Sequence, residues 1–314
     1  MGQVIVETKD LSKSYNGFTA VDRLNLRIEE GESFGFLGPN GAGKTTTILM
    51  LLGLTEPSSG TAQICGYNAT REPLKVKRIA GYLPEKLGFY EDLTARQNLR
   101  YTAELNNLPR DEAEKRITEL LATVGLSQVA DEEVRTFSRG MKQRLGMADI
   151  WIKEPKLVFL DEPTTALDPN GIEDMLDLII TMNKKGTTVI FCSHQLHLVQ
   201  RVCTRIGILA KGHLVAEGPI DSLGRQIISG GKYRIGVEVA QPSSTLLDSL
   251  KRVAGVREIQ SSGNSLFITC DEDLRTQIAK GIIDSGSLLV EMKVEEYSLE
   301  TIYKKYFAET KSEL

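Results

Sequence analysis

The apolar positions change their period along the chain, and each change marks a different kind of element. Near the start they alternate. Val4 and Val6 form one short run, and Leu24, Leu26 and Ile28 form another, closed by the turn at Glu29 to Gly31. The run "SFGFL" then enters a glycine loop, "GPNGAGK", and the helical stretch "TTTILMLLGL" follows. "IAGYL", Ile79 to Leu83, reads as another strand, ended by Pro84. From Glu85 to Trp151 the period becomes helical. Ile117, Leu120, Leu121 and Val124 lie on one stripe with Gly125 as a stop, and Met141, Leu145, Ala148 and Ile152 lie on another. Two continuous apolar runs come next, in "KLVFLDEP" and "TTVIFCSH". They predict parallel strands covered on both faces, with a helix from Gly171 to Lys185 between them.

The last part starts a new pattern. "SGG" at Ser229 to Gly231 reads as a linker, after which Tyr233, Ile235, Val237 and Val239 alternate. A helix over Leu246 to Val253, a hairpin around "SSGNS", a second helix through Leu274, Ile278 and Ile282, and the strand-helix "LLVEMKVEEYSLETIYKKYF" follow. The expected fold class is α/β. A mixed-sheet core has an N-terminal antiparallel β part and a helical subdomain over 86–152, and a small α+β domain follows. The expected boundaries are 1–222 for the core, 223–231 for the linker and 232–314 for the small domain.

Composition narrows the function classes. The 314 residues are 41% hydrophobic and 25% charged, an ordinary globular balance with room for two domains. The net charge of -4 gives no basic face for nucleic acid, so none is expected as a partner. No apolar run approaches the ~20 residues of a membrane span. "MGQVIVETKDLSKSY" lacks the basic start and apolar stretch of a secretory signal, and "MGQVIV" lacks the hydroxyl residue of a myristoylation site. Cys65, Cys192, Cys203 and Cys270 have no paired spacing, which suits a reducing compartment.

The chemistry concentrates at strand ends. "GPNGAGKT" fits G-x-x-x-x-G-K-[ST], between a strand and a helix. Gly38, Gly41 and Gly43 let the backbone curl so that its amides face phosphate oxygens. Lys44 reaches the β- and γ-phosphates, and the Thr45 hydroxyl is a Mg²⁺ ligand. The candidate nucleotide-binding residues are Gly38, Pro39, Asn40, Gly41, Ala42, Gly43, Lys44, Thr45 and Thr46. Asp161 follows four apolar residues, so it falls at the carboxyl end of a strand, where it can hold the Mg²⁺ shell. Glu162 beside it can polarise a water. Such ends are where parallel sheets bind ligands. His194 ends the next strand, where it suits either a γ-phosphate contact or a plain polar cap. Cys192, His194 and His197 also suggest a metal site, against which stand a strand-buried Cys192 and the lack of a fourth ligand. "FSRGMKQR" reads as a second helix mouth, with Ser138 as N-cap and open amides at Gly140: an anion site without a lysine.

"GPNGAGKTT", "FSRGMKQR", "LVFLDEPTTALDP" and "IFCSH", in this order and spacing, resemble the ATP-binding subunits of ABC transporters over residues 4 to 222. "YSLETIYKKYF" and the small domain before it resemble the C-terminal extension of ABC-2-type export ATPases. The resemblance implies a P-loop NTPase core of ABC type and ATP with Mg²⁺ as cofactors. It implies Glu162 as base, His194 as switch histidine, and Tyr15 in "LSKSYNG" stacking on adenine. It places Ser138, Arg139, Gly140 and Met141 on the signature that contacts the γ-phosphate bound to an opposite subunit, and Asp168 in a loop that meets that subunit. Two positions depart from the family pattern. Glu85 stands where the family has glutamine, with Mg²⁺ contact as its candidate role, and Arg139 replaces the first signature glycine.

The resemblance implies ATP hydrolysis in a head-to-tail dimer, formed with a second copy or a paralogous ATPase. The dimer would energise a separate transmembrane permease at the cytoplasmic face of the cell membrane, through a groove near Glu85. Alternative readings are a soluble ABC ATPase with a mechanical role, a non-hydrolysing nucleotide sensor, and an accessory ATPase for nitrous oxide reductase maturation, which parts of the sequence also resemble. The chain has neither the second cassette usual in ribosomal types nor the long coiled-coil insert of DNA-repair types. Intact Glu162 and His194 oppose the sensor.

Overall fold

A computed structural model describes residues 2–165, 167–228, 232–294 and 299–304. The chain divides into two units, Met1–Glu217 and Gly218–Leu314. In the first, β1 (Val4–Tyr15), β2 (Phe18–Leu24) and β3 (Arg27–Glu29) form antiparallel pairs, with β1 taking both partners. β4 (Ser33–Leu37) then starts a different sheet, and the loop after it runs into α1 (Lys44–Leu51). The chain returns to the first sheet with β5 (Ser59–Ile64) and β6 (Tyr67–Asn68), giving the order β2-β1-β5-β6 with β3 beside β1.

After α2 (Pro73–Ile79) and β7 (Ala80–Leu83) come the helical elements α3 (Ala95–Leu105), α4 (Arg110–Thr123) and α5 (Arg139–Trp151). β8 (Leu157–Asp161), α6 (Pro169–Lys184), β9 (Thr188–Cys192), α7 (Leu196–Val202), β10 (Arg205–Ala210) and β11 (His213–Pro219) complete the second sheet. Its order is β11-β10-β4-β9-β8-β7, and the pairs from β10 to β7 are all parallel. β4, β8 and β9 are buried at every position, as continuous apolar runs in a doubly covered sheet require. One apolar cluster joins Leu11, Ile28 and Ile64 of the first sheet to Ile48 of α1 and to Phe36 and Phe159 of the second. α6 and α7 pack against β9 and β4.

The second unit opens with α8 (Ile220–Ile228), which occupies residues 223–228 of the expected linker. The reason is apolar spacing: Ile220 and Leu223 are both buried, so a helix extends across a stretch whose Gly224 reads as loop material. Residues 229–231 of that linker lie outside the described residues. β12 (Tyr233–Val239), α9 (Ser244–Lys251), β13 (Val256–Ser262), β14 (Ser265–Cys270), α10 (Arg275–Asp284) and β15 (Leu289–Val294) follow. The antiparallel order β13-β14-β12-β15 makes this unit a ferredoxin-like split βαβ layer. Leu246, Leu250, Ile278 and Ile282 of its two helices cover Ile235, Val237, Leu266 and Ile268 of the sheet. In the ending "YSLETIYKKYF", residues 299–304 are helical, and Tyr297, Ser298 and the last three lie outside the described residues.

Gly35 interrupts an otherwise bulky β4 because α7 lies directly on it. A Cβ there would overlap Val199 Cγ1 and stand 2.9 Å from Ile206 Cγ2. Gly35→Ala is therefore expected to cost about 1–3 kcal/mol by overpacking, read as a lower thermal midpoint. Adding Val199→Ala should recover part of that loss, because it removes the atom that the new methyl meets first.

Candidate active site

The loop from Gly38 to Gly43 lies at the carboxyl end of β4 and opens α1. Gly43 is the N-cap at φ 105°, and no side chain caps the helix. The first amides of α1 are therefore open to an anion, which the helix dipole also favours. Lys44 is buried, and its Nζ donates to the carbonyls of Gly38 at 2.7 Å and Pro39 at 3.1 Å. The ammonium thus closes its own loop beside the cradle. The loop lines a cleft of about 410 Å³ together with Tyr15, Phe18, Glu85, Asp161 and Glu162.

The carboxyl ends of β8 and β9 supply the other wall. Thr45 Oγ1 donates to Asp161 Oδ2 at 2.9 Å, so the first turn of α1 is tied to the end of β8. Burial pushes the Asp161 carboxyl up, and the fields of Glu162 and Glu85 add to it, while the Thr45 hydrogen bond and Lys44 oppose it. A cation at this point would offset that cost. The donors are hard oxygens, a hydroxyl and a carboxylate, which suits Mg²⁺ held through few protein ligands and phosphates. Glu85 is exposed at the cleft and reaches Asp161 through its charge.

Glu162 is held from several sides. Its backbone sits at φ 51°, a left-handed conformation uncommon for glutamate, and its amide donates to the Cys192 carbonyl at 2.9 Å. Oε1 accepts from the His194 amide at 3.0 Å and lies 2.9 Å from His194 Nδ1. Oε2 accepts from Ser193 Oγ at 3.2 Å and, at the limit of reach, from Thr165 Oγ1 at 3.5 Å. A carboxylate there accepts a hydrogen bond from Nδ1–H of His194, which favours the tautomer with Nε2 unprotonated.

Cys192 is buried and its thiol is pushed well up by that burial, so it stays protonated within β9. His194 and His197 are exposed beyond it, and among the described residues no group of three or more His, Cys, Asp or Glu is arranged to hold a metal. The Cys192, His194 and His197 metal reading is set aside on that ground.

The second helix mouth stands apart from the cleft. Ser138 is the N-cap of α5, and its side chain accepts from the Met141 amide at 3.2 Å. Ser138 and Arg139 are exposed, and none of Ser138 to Met141 lines the cleft. A Cβ on Gly140 would lie 3.6 Å from Leu167, next to Asp168, whose side chain caps α6 by accepting from Gly171 at 3.2 Å. The α5 mouth therefore adjoins the Asp168 loop.

The ABC transporter family model matches residues 21–165. The linearmycin resistance ATP-binding protein LnrL of Bacillus subtilis (strain 168) is 32% identical over 303 residues, covering 95% of this chain and 97% of the relative. The chain belongs to the ABC transporter ATP-binding family. The bacitracin transport ATP-binding protein BcrA of Bacillus licheniformis is 43% identical over 220 residues, 70% of this chain and 71% of BcrA. Among solved structures, an ATP-binding subunit of an ABC transporter matches with TM-score 0.66 and 34% identity, covering 71% of this chain and 92% of that one. A dimeric ATP-binding cassette MJ0796 in a post-hydrolysis state with ADP and Pi matches with TM-score 0.63 and 25% identity, over 68% and 98%. This cassette is accordingly an ATP-hydrolysing subunit of a transporter.

Two residues that no motif marks also belong to the cleft and its wall, Phe18 and Ser193. Phe18 is 65% exposed beside the cleft and pairs with Tyr15, which is 44% exposed. The signal was the turn between them: Asn16 and Gly17 both have positive φ, the two-residue hairpin geometry that sets the flanking residues opposite each other. Ser193 was passed over because it adjoins His194; its buried hydroxyl bonds Glu162.

The loop glycines differ in what surrounds them. At Gly43 a Cβ would overlap the Ala20 carbonyl oxygen, whereas at Gly41, φ 80°, it would meet nothing within 4 Å. Gly41→Ala should cost about 1–2 kcal/mol of left-handed strain. Gly43→Ala should lower the thermal midpoint of the nucleotide-free cassette further, because the carbonyl cannot move without opening the hairpin.

Proposed function

We propose that the cassette hydrolyses ATP as one half of a head-to-tail pair and so energises a separate ABC-2-type export permease. The observation that carries this reading is the split of anion-binding features within one chain. Lys44, Thr45, Asp161 and Glu162 share one cleft, while the helix mouth at Ser138 lies off it. A second copy turned head to tail would bring Ser138 and Gly140 onto the γ-phosphate held by the first, and Asp168 into the seam. The dimeric MJ0796 cassette supports pairing of two such cassettes.

In this account Gly38 to Thr46 cradle the phosphates through backbone amides, and Tyr15, with Phe18 beside it, stacks on the adenine. Thr45 and Asp161 would hold Mg²⁺, with Glu85 contributing charge. Mg²⁺ when bound supplies neutralisation of the β- and γ-phosphate oxygens. Glu162 accepts a proton from water as the water oxygen attacks the γ-phosphorus and the bond to the β-γ bridging oxygen breaks. His194 holds the γ-phosphate side of that water. Arg139, exposed at the α5 mouth, adds positive charge toward the same phosphate.

Among the described residues no helix is long and apolar enough to cross a membrane. The permease is read as a separate chain, with this cassette at the cytoplasmic membrane face. A groove of about 340 Å³ beside Glu85, lined by Leu87, Phe89, Tyr90, Tyr101 and Asp149 among others, offers it an aromatic seat. The names of LnrL, for linearmycin resistance, and BcrA, for bacitracin transport, support an export role.

Glu162→Gln should leave ATP affinity within about twofold and cut turnover by at least ~100-fold in a phosphate-release assay. Normal multiple turnover would remove Glu162 as the base. Ser138→Trp should impair hydrolysis while the ATP affinity of the monomer is kept; an affinity collapse in the monomer would mean that Ser138 acts within one chain. Tyr15→Ala and Phe18→Ala should each weaken ATP binding about tenfold by loss of stacking, measured by titration calorimetry.

A further inference from the structure

The two oxygens of Glu162 are held by groups of opposite character. Oε1 accepts the His194 backbone amide at 3.0 Å, which is fixed, and also meets the His194 ring at 2.9 Å, whose side chain is 57% exposed and has room to turn. Oε2 is taken by Ser193, which is fully buried. The Ser193 hydroxyl is itself fixed, because its oxygen accepts the Gln195 amide at 3.1 Å at the entry to α7. Accepting from Gln195 leaves the hydroxyl one proton to donate, and Oε2 lies on that donor's side. The carboxylate is thus anchored on one oxygen and latched on the other.

We infer that Ser193 is a positioning residue that fixes Glu162 Oε2, so that Oε1 is the oxygen which receives the water proton once the His194 ring turns away. The inference rests on the reading of Glu162 as base and His194 as the phosphate-side group, and it adds the residue that orients the base. With the ring on Oε1, the lone pair that water needs is occupied, and the cassette holds its base covered. When the ring turns to a γ-phosphate, Oε1 is exposed and Oε2 stays where it was. Without Ser193 the carboxylate would keep only the His194 backbone amide on Oε1, about which it can pivot, because the Thr165 hydroxyl, at 3.5 Å, is a weak hold on Oε2. The strained backbone at Glu162 makes the anchor matter more, since a left-handed glutamate is retained only where its surroundings fix it.

The test uses steady-state phosphate release by the purified full chain, with ATP affinity and thermal midpoint measured on the same samples. Ser193→Ala is expected to lower kcat about 10- to 100-fold, the range for losing a hydrogen bond to a charged group, with the KM for ATP within about twofold. Ser193→Thr, which keeps the hydroxyl, should recover most of kcat. Ser193→Cys, a weak donor of similar size, should fall between and covers the case in which the alanine chain does not fold. The inference is overturned if Ser193→Ala keeps more than half of kcat. It is also overturned if KM and affinity deteriorate in step with kcat, or if threonine is no better than alanine. Glu162→Gln run alongside separates the two readings. Should it turn over normally, the base assignment fails and this inference with it. Should it be inactive while Ser193→Ala is fully active, only the anchor fails.

Discussion

The hydrogen bond from Thr45 to Asp161 joins the two parts on which the site depends, the first turn of α1 and the end of β8. α1 begins where β4 ends, and β4 and β8 both flank β9 in the parallel sheet. Three strands therefore deliver the phosphate loop, Asp161 and the Ser193–His194 pair to one rim. Burial makes the sheet continuous and apolar, and it also raises the cost of charge at that rim, which is why the Asp161 carboxyl is pushed up. A cation bound at Asp161 would relieve that cost, whereas the phosphates face the open amides and Lys44 on the α1 side of the rim.

Several polar groups of the site pair with one another within the chain. Lys44 bonds its own loop, Thr45 bonds Asp161, and Glu162 collects donors from Ser193 and His194. In the proposed reaction each of these bonds would be exchanged for one to the nucleotide, to Mg²⁺ or to water. The exchange is between bonds of similar kind, so its net cost is small compared with the gross strength of any one bond.

Much of this was legible in the residues. Buried parallel strands announce themselves as "KLVFLDEP" and "TTVIFCSH", because a strand covered on both faces has no polar alternation. The phosphate loop is legible because its glycines and Lys44 stand in a fixed spacing. Phe18 was not, since its placement depends on the positive φ of Asn16 and Gly17 rather than on a motif. Ser193 was hidden by its neighbour, because a hydroxyl's role depends on whether it is buried and on what it faces. The helix over Ile220–Ile228 was missed because glycine inside a short amphipathic helix looks like linker. The ferredoxin-like order of the small unit depends on strand pairing across long separations, which local periodicity does not encode.

The account stands or falls on whether each ATP site is shared between two chains. Mixing two inactive variants tests that directly: one chain carries Lys44→Ala, the other Ser138→Trp, and phosphate release is measured for each alone and for an equimolar mixture. In a mixed pair the Lys44 of the second chain and the Ser138 of the first would meet at one intact site. The account predicts that the mixture regains hydrolysis well above the sum of its parts. A mixture no more active than the two variants separately would contradict it.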